Sequence, residues 1–128
     1  MNNELFEHAK KVMENSYSPY SKYKVGCSIR LKNGKIFTGC NVENASYGAT
    51  ICAERSAIVS LISNGEDPRE IEEVLIIANT QTIPIPCFMC RQVLVEFCHE
   101  DVQVTFTTLD KNYKTVTLKE LTPYIFRF

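Results

Sequence analysis

Residues 74–78 read Val-Leu-Ile-Ile-Ala, and this run of five apolar residues decides the fold class. A short, uninterrupted apolar run is typical of a strand that is buried on both faces of a sheet. Such a strand needs helices above and below it, because each face must be covered by other apolar side chains. The run therefore predicts an α/β protein.

Amphipathic helices are predicted on both sides of this run. Upstream, apolar residues recur at helical spacing over residues 57–62, after a helix start near Cys52, and Asn64-Gly65 would end that helix. Downstream, a second helix is predicted over residues 87–99. A third amphipathic pattern predicts a helix at the start of the chain, over residues 3–15.

Four further strands are predicted around the apolar run. Asn33-Gly34 is a strong hairpin signal because both residues tolerate positive φ. The predicted strands cover residues 25–31, 35–40, 102–106 and 113–117, and a short helix follows over 118–124. Two consecutive strand–helix–strand passages predict a partly parallel sheet with helices on its faces.

The composition is that of a soluble globular chain: 128 residues, 45% hydrophobic and 23% charged, with a net charge of −1. We expect a single domain over residues 1–128. The chain has no basic run, which argues against a nucleic acid polymer as partner. No signal peptide or long apolar stretch is present, so we expect a cytoplasmic protein that does not enter membranes. Its six cysteines are then better interpreted as metal ligands or buried thiols than as disulfides.

Three of these cysteines are candidate zinc ligands. Cys87 and Cys90 are three residues apart at a predicted helix start, which places both sulfurs on one side. Cys52 opens the other central helix, and exposed N–H groups at helix starts favour thiolates. Three protein ligands leave a fourth position for water, as in catalytic zinc sites.

Two charged residues follow Cys52 in the sequence Cys52-Ala53-Glu54-Arg55. Glu54 is placed to exchange a proton with a metal-activated water without binding the metal. Three thiolates on a divalent ion give a net negative centre, and Arg55 could offset that charge by donating to the cysteine sulfurs.

The sequence resembles the small zinc-dependent cytidine deaminases. The resemblance rests on Cys52-Ala53-Glu54-Arg55, on Pro86-Cys87-Phe88-Met89-Cys90, and on matching stretches over residues 18–26, 39–47 and 123–126. It implies a three-layer helix/sheet/helix fold with a mixed five-stranded sheet, and one zinc ion per chain. It also implies hydrolytic deamination of cytidine and deoxycytidine in pyrimidine salvage, in which zinc-bound hydroxide attacks C4 and Glu54 shuttles the proton.

The resemblance also implies a set of substrate-binding residues: Asn41, Glu43, Tyr23, Ala53, Tyr47 and Phe126. Asn41 and Glu43 would bind the ribose 3′-hydroxyl, and the ring of Tyr23 would line the nucleoside pocket. The backbone around Ala53 and Cys87 would contact the base. Family members form homotetramers, in which residues such as Tyr47 and Phe126 reach a neighbouring subunit's site.

Some positions depart from the family pattern. Phe88 and Met89 stand where relatives often have small residues, and their bulk would either narrow the pocket or fill a subunit interface. Tyr23 carries a hydroxyl where phenylalanine is usual, and Cys27 replaces a common alanine. The remaining cysteines, Cys27, Cys40 and Cys98, are interpreted as buried small apolar residues.

Three alternative functions are open at this point. The first is a deaminase of another cytosine nucleoside, such as blasticidin S. The second is a non-catalytic zinc-binding or nucleoside-binding protein, which would have no need for Glu54 beside an open coordination position. The third is a thiol oxidoreductase that uses Cys87 and Cys90 as a redox pair.

Overall fold

Five strands form one mixed sheet in the order β2-β1-β3-β4-β5 in the computed structural model, which describes all 128 residues. The strands are β1 (Val25–Leu31), β2 (Ile36–Cys40), β3 (Ile71–Ala78), β4 (Gln103–Thr108) and β5 (Tyr113–Thr117). The helices are α1 (Asn3–Met13), α2 (Ala53–Ser63), α3 (Phe88–Phe97) and α4 (Leu118–Leu121). Two short 3₁₀ helices cover Tyr47–Ala49 and Pro68–Glu70.

The sheet contains one parallel pair of strands, β3 with β4, which α3 connects. Strand β1 lies between β2 and β3 and is antiparallel to both. Helix α2 therefore crosses over β1 on its way from β2 to β3, and β5 closes the other edge antiparallel to β4. The predicted mixed sheet and its order of elements are confirmed.

Helices cover both faces of the sheet, as the apolar run at residues 74–78 predicted. On one face, α1 packs against Leu75 and Ile77. On the other, α2 and α3 pack against Val74 and Ile76 in a larger core. Each of these four β3 side chains is at most 2% exposed, so the middle strand is buried on both faces. No helix of the chain has the length and apolar character needed to cross a bilayer.

A few element boundaries differ from the sequence predictions. Strand β3 begins at Ile71, three residues early, because Ile71 is buried and pairs with Leu31 after a shift in register. Helix α4 ends at Leu121 and does not reach Tyr124, whose positive φ of 57° lies outside the helical region. Cys87 has extended backbone and lies just outside α3 as its N-cap.

The contact between α2 and β2 places the start of α2. Gly39 in β2 faces the first turns of α2, where a Cβ atom would lie 2.3 Å from the amide nitrogen of Ala57 and 2.8 Å from the carbonyl oxygen of Ala53. Only glycine allows so close an approach of helix and strand backbones. This contact positions the residues at the N-terminus of α2, which include Cys52 and Glu54.

Candidate metal centre and active site

Cys52, Cys87 and Cys90 form one cluster where the N-termini of α2 and α3 meet. Cys52 is the N-cap of α2, Cys87 is the N-cap of α3, and Cys90 lies in the first turn of α3. The Sγ of Cys87 lies 3.8 Å from that of Cys52 and 3.4 Å from that of Cys90, and all three sulfurs lie within 4.8 Å of one another. The structure thus brings the three predicted ligands together.

The cluster fits a tetrahedral zinc ion. Zinc–sulfur bonds of about 2.3 Å at tetrahedral angles would place the sulfurs about 3.8 Å apart. The observed separations are close to that value, and all six cysteines of the chain are free thiols. Soft sulfur donors in this arrangement select zinc over magnesium or calcium. Three donors would leave a fourth position on a bound ion, and two of the three cysteines, Cys52 and Cys87, line a cavity.

The cluster favours ionised sulfur at Cys52. A hydrogen bond from the Cys90 thiol, together with the nearby Arg55 guanidinium, lowers the pKa of Cys52 to about 5. The same hydrogen bond raises the pKa of Cys90, as does its burial beside Glu54. Without a metal the Cys52 sulfur therefore ionises readily, whereas the Cys90 thiol resists ionisation. A divalent ion supplies the positive charge that the further ionisations need.

Arg55 lies next to the Cys52 sulfur, on the first turn of α2. Its Nη2 donates to the carbonyl oxygen of Thr50 at 3.1 Å and lies 3.9 Å from the Sγ of Cys52. The Nε atom is buried and has no hydrogen-bond partner. The guanidinium is therefore held against the cysteine sulfur, where its charge draws electron density from the thiolate.

Glu54 is buried beside the cluster and is only 4% exposed. Burial raises the pKa of its carboxyl, and the Cys52 thiolate adds to that effect, while a backbone hydrogen bond opposes both. A carboxyl with a raised pKa is suited to take up and return a proton near neutral pH. Charged side chains are seldom buried without a function or a partner, so this position supports a chemical role.

A cavity of about 180 Å³ opens beside the cluster. Six of the residues singled out from the sequence line it: Tyr23, Asn41, Cys52, Ala53, Glu54 and Cys87. The partial burial of Tyr23 and the charge of Glu54 raise the pKa of the Tyr23 phenol. The cavity wall is otherwise largely apolar, which suits the flat face of a heterocyclic ring.

Glu43 and Tyr47 lie at a second cavity, of about 300 Å³, which adjoins the first. Thr50 lines both cavities and marks where they meet. One carboxylate oxygen of Glu43 accepts from the backbone N–H groups of Tyr20 and Ser21, at 3.0 and 3.1 Å. The other accepts from the Ser21 hydroxyl, which lowers the pKa of the Glu43 carboxyl.

The Asn41 side chain is buried and has structural contacts of its own. Its Nδ2 donates to the carbonyl oxygen of Tyr23 at 2.7 Å, and its Oδ1 accepts from the N–H of Val25 at 2.9 Å and from the Ser16 hydroxyl. One Nδ2 hydrogen is left over and can donate to a ligand in the cavity. Asn41 thus holds the backbone of Tyr23 and Val25 in place.

Phe126 is the one substrate-binding prediction that lies at neither cavity. It is 63% exposed and lies beside α3, in a surface groove that Phe88 also lines. Tyr47 is also highly exposed, at 84%. Within one chain, neither aromatic ring covers the metal cluster.

Phe88 and Met89 do not narrow the cavity, because they are not among its lining residues. Both point outward from the start of α3 and are 77% and 61% exposed. The prediction that Cys40 is buried is wrong: Cys40 ends the edge strand β2 and is partly exposed, whereas Cys27 and Cys98 are buried. An edge strand has no neighbour to cover its outer side.

Sequence reasoning missed part of the cavity wall. Thr50, Ile51, Pro84 and Ile85 line the cavity as well. Pro84 and Ile85 lie in the irregular segment that leads into Cys87, and the two prolines that bracket Ile85 were the available signal. Thr50 and Ile51 immediately precede Cys52 in the sequence. Their place near the site could therefore have been inferred from the prediction that Cys52 binds the metal.

The sequence matches the family described as "Cytidine and deoxycytidylate deaminase zinc-binding region" over residues 1–106. The chain belongs to this zinc-dependent deaminase family. It is therefore a zinc-dependent hydrolytic deaminase, with Cys52, Cys87 and Cys90 as the group of residues able to hold the metal.

Relatives with this fold cover almost the whole chain. A cytidine deaminase of Halalkalibacterium halodurans is 38% identical over 122 residues, which are 95% of this chain and 91% of that protein. The crystal structure of cytidine deaminase from Burkholderia pseudomallei superposes with a TM-score of 0.94 at 37% identity, covering 98% of this chain and 99% of that one. The mixed sheet with helices on both faces is thus the fold of known cytidine deaminases.

A blasticidin-S deaminase of Bacillus cereus is a more distant relative of this chain. It is 28% identical over 113 residues, which are 80% of this chain and 76% of that protein. The two cytidine deaminases, from Halalkalibacterium halodurans and Burkholderia pseudomallei, match the present chain at higher identity than the blasticidin-S deaminase does. They also cover a larger share of it.

Proposed function

We propose that this protein catalyses the hydrolytic deamination of cytidine and deoxycytidine, which gives uridine and deoxyuridine and releases ammonia. One observation carries the proposal: a buried carboxyl, Glu54, lines the same cavity as Cys52 and Cys87, two members of the three-cysteine cluster. A structural zinc site would have no use for a buried carboxyl beside an open ligand position. The cytidine deaminases among its relatives support the choice of substrate.

The two adjoining cavities suggest how the nucleoside is oriented. The base occupies the apolar cavity that holds Glu54, and the sugar extends past Thr50 toward Glu43. In this orientation the free Nδ2 hydrogen of Asn41 donates to a ribose hydroxyl, and Glu43 accepts from one. The ring of Tyr23 packs against the nucleoside, and the backbone at Ala53 contacts the base.

The proton steps belong to Glu54. Zinc, when bound by the three cysteines, lowers the pKa of a water molecule. Glu54 takes a proton from the attacking water and delivers it to N3 of the base. The same carboxyl then takes the remaining proton from the new hydroxyl on C4 and supplies it to the departing amino group, so that C4 becomes a carbonyl, water is consumed and ammonia is released. Burial favours this role because it raises the pKa of Glu54 toward the range where both transfers are feasible.

Arg55 has a supporting role in the proposed reaction. Its guanidinium lies 3.9 Å from the Cys52 sulfur and offsets the charge of the thiolates. Weaker donation by the sulfurs leaves the metal a stronger Lewis acid. Arg55 thereby acts on the reaction through Cys52 and does not touch the substrate.

The assembly proposed for this enzyme is a homotetramer. Tyr47 and Phe126 are exposed in the single chain, as residues that complete a neighbouring subunit's site would be. Phe88, Met89 and Ile85 add further exposed apolar surface at the start of α3. Exposed apolar clusters of this kind are typical of protein–protein contacts. We place the enzyme in the cytoplasm, in the salvage of pyrimidine nucleosides.

The test is ammonia release from cytidine by the purified protein, with zinc measured on the same sample. We expect ammonia release together with one zinc ion per chain, and turnover of deoxycytidine as well. Blasticidin S serves as the competing substrate, and faster turnover of blasticidin S than of cytidine would contradict the proposal. Zinc without turnover of either nucleoside would contradict it too, and would favour a structural metal site.

A further inference from the structure

Arg91 contacts two separate parts of the chain from its position on α3. Its Nε donates to the carbonyl oxygen of Pro86 at 2.9 Å, and its Nη1 donates to the carbonyl oxygen of Leu121 at 3.0 Å. The centroid of the Phe88 ring lies 4.3 Å from the guanidinium carbon of Arg91, so that the ring covers one face of the guanidinium. A guanidinium with two carbonyl acceptors and a stacked ring is held in a single position.

The first of these contacts fixes the segment that carries Cys87. The backbone N–H of Arg91 donates to the carbonyl oxygen of Cys87 at 3.0 Å, while its side chain holds the carbonyl of Pro86. Arg91 thus holds the carbonyl groups that precede and follow the α-carbon of Cys87. Because Cys87 lies outside the helix, these contacts set the direction of its side chain.

The second contact reaches the C-terminal segment, here residues 118–128. Leu121 is the last residue of α4, and the Nε2 of the adjacent Gln92 donates to the carbonyl oxygen of Phe126 at 3.1 Å. Tyr124 lies between these two contacts and has a φ of 57°, which non-glycine residues seldom adopt. Such a conformation persists only where flanking contacts hold it.

We propose that Arg91 and Gln92 are positioning residues that couple the metal ligand Cys87 to the C-terminal segment. We call these two side chains and their three carbonyl acceptors the Arg91–Gln92 clamp. A docked C-terminal segment holds Arg91, and Arg91 holds Cys87 in its ligating position. Coupling between two sites is reciprocal, so zinc at the cluster also orders the C-terminal segment.

The coupling is tested by zinc transfer to a chelator and by amide hydrogen exchange, measured on the full-length protein. Wild type is compared with Arg91→Lys, Gln92→Ala and the control Glu96→Ala, which changes an exposed residue one turn further along α3. Lysine keeps the charge but cannot serve two carbonyls in a fixed fork. We expect Arg91→Lys to lose zinc about tenfold faster than wild type. Gln92→Ala should also lose zinc faster, and the control should match wild type.

Hydrogen exchange separates coupling from general loss of stability. In wild type, zinc removal should speed exchange in residues 118–128 by a larger factor than in the core strand β3, which exchanges through global unfolding. The inference is overturned if zinc removal does not affect residues 118–128, or if β3 exchanges faster to the same degree. It is also overturned if both clamp variants release zinc at the rate of Glu96→Ala.

The inference rests on zinc at the cysteine cluster, as the proposed function does, but its readouts do not involve a nucleoside. If cytidine is turned over normally but zinc release and C-terminal hydrogen exchange are not coupled, the clamp proposal fails and the proposed function stands. If the protein binds zinc and shows the coupling but does not turn over cytidine, the proposed function fails and the clamp proposal stands.

Discussion

The guanidinium of Arg55 is shared between the Cys52 sulfur, at 3.9 Å, and the carbonyl oxygen of Thr50, at 3.1 Å. The first contact offsets the negative charge of Cys52, a proposed metal ligand, and the second holds the arginine in that position. Arg55 therefore connects the electron donation of the Cys52 sulfur to the position of Thr50, which lines both cavities.

Arg55→Gln removes this charge while keeping a hydrogen-bonding side chain of moderate length. We expect kcat/KM for cytidine to fall about 10- to 100-fold, because the thiolates then donate more strongly to the metal. Zinc content and kcat/KM are measured together. Arg69→Gln is the control, since Arg69 is exposed and pairs only with Asp67. Wild-type kcat/KM in the Arg55 variant would contradict the role given to this residue.

Glu54→Gln keeps the size of the side chain but removes its ability to carry a proton. We expect kcat to fall about 10²- to 10⁴-fold, while the protein still binds zinc, because glutamine cannot act as a general acid or base. Steady-state kinetics and metal analysis check both parts. The exposed Glu96→Gln on α3 is the matched control. Full activity in the Glu54 variant would rule out the proposed mechanism.

Glu43 should titrate below the usual range for glutamate. The Ser21 hydroxyl hydrogen bond is the largest cause of its lowered pKa, and backbone N–H groups of Tyr20 and Ser21 add to it. Because the pKa of Glu43 is lower in the folded state than in the unfolded state, the Ser21 contact contributes its full stabilisation to the folded protein at pH values above the unfolded-state pKa. Its contribution is lost as the pH falls through the lowered value.

Carbon-13 NMR of the Glu43 side-chain carboxyl, in wild type and in Ser21→Ala, measures this effect. The serine variant should raise the pKa of Glu43 toward its ordinary value, since the charged form loses its main donor. An unchanged titration in Ser21→Ala would show that the backbone donors alone hold the carboxylate.

Gly39→Ala should destabilise the protein by about 1–3 kcal/mol through overpacking. The new Cβ would lie 2.3 Å from the amide nitrogen of Ala57, and a helix backbone cannot move aside as a flexible side chain can. Chemical denaturation measures the change. Gly48→Ala is the control, because no atom lies within 4 Å of its added Cβ. Equal stabilities of the two variants would show that α2 shifts on β2 at no cost.

Local patterns in the sequence predicted much of the fold and the three cysteines that cluster in the structure. The apolar run in β3 and the Asn33-Gly34 hairpin are signals that neighbouring residues carry by themselves. Cys87 and Cys90 are likewise set by one helix start, and Cys52 by another. In each case the geometry depends on residues close in sequence.

The parts that sequence reasoning did not reach depend on distant residues. Glu43 lies in an adjoining cavity because Val42 pairs with both Tyr17 and Ile51, and neither bridge follows a regular period. Arg91 reaches the carbonyl of Leu121, thirty residues further along the chain. Neither contact can be inferred from local spacing, because each depends on how helices and strands pack.

The cysteines proposed to bind zinc come from two segments of the chain, since Cys52 precedes Cys87 by 35 residues and β3 lies between them. An unfolded chain does not hold these sulfurs together, so zinc binds the native state far more tightly than the unfolded one. By mass action, the fraction of molecules that survive unfolding and proteolysis then rises with the free zinc concentration. The steady-state amount of this protein should therefore follow the metal supply of the cell, whether or not nucleosides are present.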